Sequence, residues 1–172
     1  AILGDRALFA AIREAPAGLG GWERVAMESA IATACRIKAE VVEKDEREGG
    51  LRRVLNLGHT IGHALEAVTR YRRFTHGEAV GWGTIGAAFV ARRRGLLPEA
   101  SFDAIAAAVD HVGPRPRVSD LKAAKVLEAL GRDKKARAGR VPFVLPTAIG
   151  AVAIHDDVTR DEITRALRVM AG

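Results

Sequence analysis

Two histidines four residues apart, His59 and His63, lie in the stretch Arg52-Arg53-Val54-Leu55-Asn56-Leu57-Gly58-His59-Thr60-Ile61-Gly62-His63-Ala64-Leu65-Glu66. On a helix that spacing stacks two imidazoles on one face, one turn apart. There they can share a metal ion or pass a proton. A zinc protease needs glutamate directly after the first histidine. Thr60 holds that place, which excludes the protease reading. A third histidine, His76, opens the segment His76-Gly77-Glu78 after a basic loop. His59 and His76 make a candidate ligand pair for a divalent ion such as Zn²⁺, which imidazole suits. A catalytic zinc keeps three protein ligands and one open position, so a carboxylate is expected as the third. Glu40, Glu48, Glu66 and Glu78 are available, and spacing singles out none of them. Each residue also has an ordinary reading: a helical His pair as structural, Lys38 and Arg52 as surface charges, Asn56 as a helix cap. His111 and His155 read as structural or solvated.

The elements that must position these residues are helical. A short helix covers Asp5–Glu14, and a glycine-rich connection follows at 17–21. Ala26, Ala30, Ala34, Ile37 and Val41 recur at helical spacing, which predicts a long amphipathic helix from Trp22 to about Lys44. Cys35 lies within it and reads as a small buried hydrophobe. Leu51–Val68 is predicted as another helix with an irregular start around Asn56–Gly58. His76–Gly95 is apolar on nearly every side, so it should be a central, buried helix. Its glycines at 81, 83 and 86 make sense where other backbone approaches closely. Together with Trp22–Lys44 and Leu51–Val68 it should form the centre of the domain. Further helices are expected over Pro98–Val112, from an N-cap at Ser119 through Leu130, and from a Thr159/Glu162 capping box to about Met170. Val141–Leu145 and Ala151–His155 flank Pro146–Gly150 as a small hairpin. The expected fold is all-α, seven helices with one minor β-hairpin.

Composition bounds the function. The 172 residues carry a formal charge of +6, but the basic residues are spread along the chain and aromatics reach only 5%, which argues against a nucleic-acid surface. A basic balance without that clustering fits a solvated surface with an anionic small-molecule ligand. Cys35 is the single cysteine, so no disulfide forms within the chain, as fits a reducing compartment. No apolar run is long enough to span a membrane. The opening Ala-Ile-Leu-Gly is unlike a native start, and the chain is expected to lie within a longer gene product.

The pieces Lys38-Ala39-Glu40-Val41-Val42, Asp45-Glu46-Arg47-Glu48, Arg52 to Ala64, and His76-Gly77-Glu78-Ala79-Val80 resemble the dehydroquinate synthase family in order and spacing. Asp133-Lys134-Lys135 and Val144-Leu145-Pro146-Thr147-Ala148-Ile149-Gly150 resemble it as well. The resemblance covers nearly the whole chain. It implies a dehydroquinate-synthase-like C-terminal helical domain, 1–172, that works against a separate N-terminal NAD-binding domain. The implied activity converts 3-deoxy-D-arabino-heptulosonate 7-phosphate to 3-dehydroquinate and phosphate in the shikimate pathway, with NAD and a divalent metal (Zn or Co) as cofactors. His59 and His76 are the implied metal ligands, and His63 lies in the implied proton path. Lys38, Arg52 and Asn56 would hold the substrate's hydroxyl, carboxylate and phosphate groups, with an anion contact from Lys134 or Lys135. Glu48 is a candidate for orienting a ligand. In the family, a Gly-Leu-Ala-Glu-Val-Ile-Lys segment supplies the third metal ligand and a further lysine. This chain is expected to start just after it, and the fragment alone to be inactive. The implied partner is a phosphorylated sugar acid, with no nucleic acid and no membrane. A cytoplasmic homodimer is expected for the full-length protein. The alternatives are another sugar-phosphate cyclase, a metal-dependent alcohol dehydrogenase, or a non-catalytic helical assembly module.

Overall fold

Side-chain caps set three of the helix starts. In the computed structural model, which describes residues 1–47, 50–132 and 142–171, Asp5 starts α1 (Arg6–Glu14) by accepting from the Leu8 amide at 2.7 Å. A 3₁₀ turn at Leu19–Gly21 leads to α2 (Arg24–Lys44). Thr75 and Glu78 close a capping box at the start of α4 (His76–Arg93). The same device opens α7 (Arg160–Ala171), where the Thr159 amide donates to Glu162 at 2.8 Å and the Glu162 amide donates back to Thr159 at 3.3 Å. Between them lie α3 (His59–Val68), α5 (Glu99–Val112) and α6 (Ala123–Arg132). Strands β1 (Phe143–Ala148) and β2 (Ala151–His155) pair antiparallel. The fold is all-α with one hairpin, as expected from sequence.

The centre is α4. Ten of its residues, Ala79 and Gly83–Ala91, are buried. They pack against Ile61 and Leu65 of α3, Ile105 of α5, Val126 of α6, Leu145 of β1 and Ala166 of α7, all in one apolar cluster. The α3–α4 crossing is set by glycine. A Cβ on Gly83 would collide with the Gly58 carbonyl, and one on Gly62 would come within 3.1 Å of the Ala79 backbone. Gly58 itself takes φ 78°, where an L side chain is strained. Its turn ends one element and starts the next.

Several boundaries differ from the sequence expectation. Leu51–Val68 is two elements: a 3₁₀ turn over Leu51–Asn56, then α3 after the Gly58 kink. Ser119 is not an N-cap, because α6 begins at Ala123 and Ser119 sits in a turn closed by Leu121 N–H to the Val118 carbonyl. The hairpin turn is only Ile149–Gly150, since Pro146 lies within β1 opposite Val152. A two-stranded ribbon accommodates proline because its strands have free edges. The largest correction concerns α2. No residue of it is buried, so it lies against the domain's side rather than at its centre. Ala26 and Ala34 are exposed, as is Cys35, which is therefore no core hydrophobe. Among the described residues no helix is long and apolar enough to cross a membrane.

Candidate active site

Two helix starts and one 3₁₀ turn converge on the histidines. His59 is the first residue of α3 and His76 the first of α4, so the glycine-locked crossing brings both to one place. His63 follows His59 by one turn. The ring centroids lie 5.1 Å apart for His59–His76, 5.5 Å for His59–His63 and 5.7 Å for His63–His76. A metal about 2.1 Å from two imidazole nitrogens at a tetrahedral angle puts the ring centres about 5 Å apart. The ring spacing suits a shared Zn²⁺-like ion, while the donor atoms that fall within 4.8 Å of one another are those of His63, Glu66 and His76. His59 Nδ1 lies 3.1 Å from the Leu57 carbonyl. A carbonyl only accepts, so this contact places the ring proton on Nδ1 and makes Nε2 the basic nitrogen of the neutral ring. His76 does not point inward from its buried helix, for its side chain is 56% exposed. His63 is also exposed, so the triad faces open space.

Beside it, a cavity of about 470 Å³ is lined by Lys38, Arg52, Asn56 and His59, with Ala34, Ile37 and Leu55 among its apolar walls. Lys38 comes from α2, while Arg52 and Asn56 come from the 3₁₀ turn. Asp45 anchors that turn, since one carboxylate oxygen accepts from the Gly50 amide at 2.8 Å and the Arg52 amide at 2.9 Å. Among the described residues the lining holds two cations, Lys38 and Arg52, and no carboxylate, so its potential favours an anion. Lys134, Lys135 and Glu48 lie outside the described residues.

Three of the four carboxylates left open by spacing are sorted by their contacts. Glu40 pairs with Arg36 at 2.7 Å. Glu78 is used in the α4 capping box. Glu48 falls outside the described residues. Glu66 is buried, and its Oε1 lies 3.4 Å from His76 Nδ1. Donor atoms of His63, Glu66 and His76 all fall within 4.8 Å of one another. Sequence reasoning left Glu66 among equals. The signal was present in the periodicity, because positions 59, 63 and 66 share one face of a helix. His111 is structural, with Nε2 2.7 Å from the Ala15 carbonyl.

Comparison with known proteins adds the following. Residues 1–136 match the family model described as 3-dehydroquinate synthase C-terminal. A 3-dehydroquinate synthase of a Nostoc species is 44% identical over 145 residues, covering 84% of this chain and 40% of the relative. The enzyme of that name from Solibacter usitatus is 40% identical over 168 residues, 97% of this chain and 47% of the relative. The chain thus spans less than half the length of these relatives. Among solved structures, 2-epi-5-epi-valiolone synthase from Streptomyces hygroscopicus, with NAD⁺ and Zn²⁺ bound, superposes with a TM-score of 0.82 at 26% identity. That match covers 99% of this chain and 48% of the other. A 2-deoxy-scyllo-inosose synthase complexed with carbaglucose-6-phosphate, NAD⁺ and Co²⁺ shares the fold, with a TM-score of 0.81 at 23% identity. It covers 98% of this chain and 47% of its own.

Proposed function

The chain belongs to the 3-dehydroquinate synthase C-terminal family, and from that membership we propose that it is the metal- and substrate-binding half of a 3-dehydroquinate synthase. The observation that carries the reading is the shared position of His59. It lines the cavity with Lys38, Arg52 and Asn56, and its ring neighbours those of His63 and His76. A cavity lined by two cations and a cluster of three histidine rings thus meet at one side chain. A simple alcohol would leave Lys38 and Arg52 nothing to bind, and an assembly module would need neither set.

In this proposal the substrate is the heptulosonate phosphate, and NAD⁺ is held by a further part of the protein. Arg52 presents a planar fork to the carboxylate or phosphate, and Lys38 serves as a point charge beside it. Asn56 hydrogen-bonds a substrate hydroxyl. Lys134 or Lys135 adds an anion contact. His59 and His76 would hold the divalent cation, Zn²⁺ or Co²⁺, which when bound lowers the pKa of a coordinated hydroxyl. A ring nitrogen of His63 takes the proton of the hydroxyl being oxidised, and NAD⁺, when bound, would supply the hydride acceptor. The ketone acidifies the neighbouring carbon, and phosphate departs by elimination. The bound cofactor would return the hydride, so that ring closure gives the carbocycle with no net redox change. Identities of 40–47% to 3-dehydroquinate synthases, against 26% to the valiolone synthase, support the acid-bearing substrate over an uncarboxylated sugar phosphate. The test is phosphate release by the full-length protein supplied with NAD⁺ and Zn²⁺ or Co²⁺. Release from the heptulosonate phosphate is expected. Turnover of an uncarboxylated sugar phosphate alone would refute the assignment.

A further inference from the structure

Glu66 does a job that the reading above does not use. It is 7% exposed, and with Thr84 it is one of the two polar or charged residues that are buried as a whole among the described residues. A buried carboxylate is costly unless something pairs with it. Its Oε1 faces His76 Nδ1 at 3.4 Å, across the α3–α4 crossing. His76 needs such a partner. Its side chain is 56% exposed at the first residue of α4, where helix packing does little to fix a ring.

We infer that Glu66 is a positioning residue: it holds His76 with the proton on Nδ1, so that Nε2 is presented as a ligand toward His59 and His63. This rests on the metal-site reading given above. The physical reason is general. A ligating histidine that donates its other ring N–H to a carboxylate is fixed in tautomer and orientation and gains basicity. The rival arrangement has Glu66 ligating directly with His63 and His76, whose donor atoms lie within reach. A metal on His76 Nδ1 and Glu66 Oε1 would have to displace the contact that joins them, whereas one on His76 Nε2 leaves it in place.

The test uses the full-length protein carrying this chain. Zn²⁺ affinity is measured by chelator competition for wild type, Glu66→Gln and His76→Ala, and the Co²⁺ d–d spectrum is recorded for each. Glu66→Gln should bind Zn²⁺ about 10–100-fold more weakly, with the Co²⁺ bands of wild type in place. Unchanged affinity would show that Glu66 merely fills space. A Co²⁺ spectrum altered by Glu66→Gln would show a ligand, overturning the positioning role. A measurement that needs no variant is ¹⁵N NMR of the histidines in metal-free wild type. The neutral His76 ring should carry its proton on Nδ1, and a dominant Nε2–H tautomer would overturn the inference. If wild type binds no Zn²⁺ that His76→Ala abolishes, the metal-site reading fails by itself, while the tautomer still judges Glu66.

Discussion

At the scale of single residues, the three histidines should separate by readout. In the full-length protein, His59→Ala or His76→Ala should strip most bound metal and abolish turnover, because water completes a depleted donor set at much lower affinity. His63→Ala should keep the metal and lose rate by roughly a hundredfold or more, as for a lost proton acceptor. Metal content by elemental analysis beside kcat decides it. Loss of metal on His63→Ala with retention on His76→Ala would reverse the ligand assignment. The trio was legible in the sequence because His59 and His63 lie a helical turn apart and His76-Gly77-Glu78 forms a distinctive block. The spacing of 59, 63 and 66 put Glu66 on the histidine face, but its contact with His76 comes from a different element, and no local pattern reveals a contact across a crossing.

At the scale of elements, the site depends on how closely α3 and α4 approach. Gly83→Ala should cost more than about 2 kcal/mol, since the added methyl meets the Gly58 backbone rather than a movable side chain. Gly77→Ala, whose Cβ meets nothing within 4 Å, should leave stability unchanged or slightly raised. Chemical denaturation midpoints for the two variants test the contrast, and equal midpoints would refute it. The central burial of α4 was readable because its apolar residues circle the helix. The misplaced start of α6 has a tertiary cause. Ser119 offers a cap in sequence, but neighbouring Asp120 is drawn into a two-pronged pair with Arg73 at 2.7 and 2.8 Å, and the turn there delays the helix. The peripheral place of α2 was illegible for another reason. Periodicity shows that a helix has an apolar face, not what covers it.

At the scale of the whole molecule, α4 and α7 are joined by an ion-pair cluster. Arg94 donates to Glu162 at 2.6 and 2.9 Å and to Asp157 at 2.7 Å. The guanidinium hydrogen bond is the main reason the Glu162 carboxyl falls from an ordinary 4.5 to about 2. Asp157 is lowered for the same cause. A depressed folded value means stability that is present above the unfolded value and lost as acid protonates the folded carboxylate. Thermal midpoints of the wild type should therefore fall between pH about 4.5 and about 2. Glu162→Gln should lower the midpoint at neutral pH and flatten that part of the acid limb. An acid limb unchanged by the substitution would show that other carboxylates govern it.

The bare side of α2 has a consequence for how such a domain can diverge. Lys38 stands on a helix with no buried residue, whereas His59 and His76 start helices packed into the centre. Surface substitutions mostly alter stability by less than about 0.5 kcal/mol, while changes at a close-packed crossing are felt in full. The walls that carry Lys38, Arg52 and Asn56 thus constrain stability less than the crossing that carries His59. A lineage can rewrite which anion it recognises through α2, one tolerated step at a time, while inheriting its histidine geometry intact.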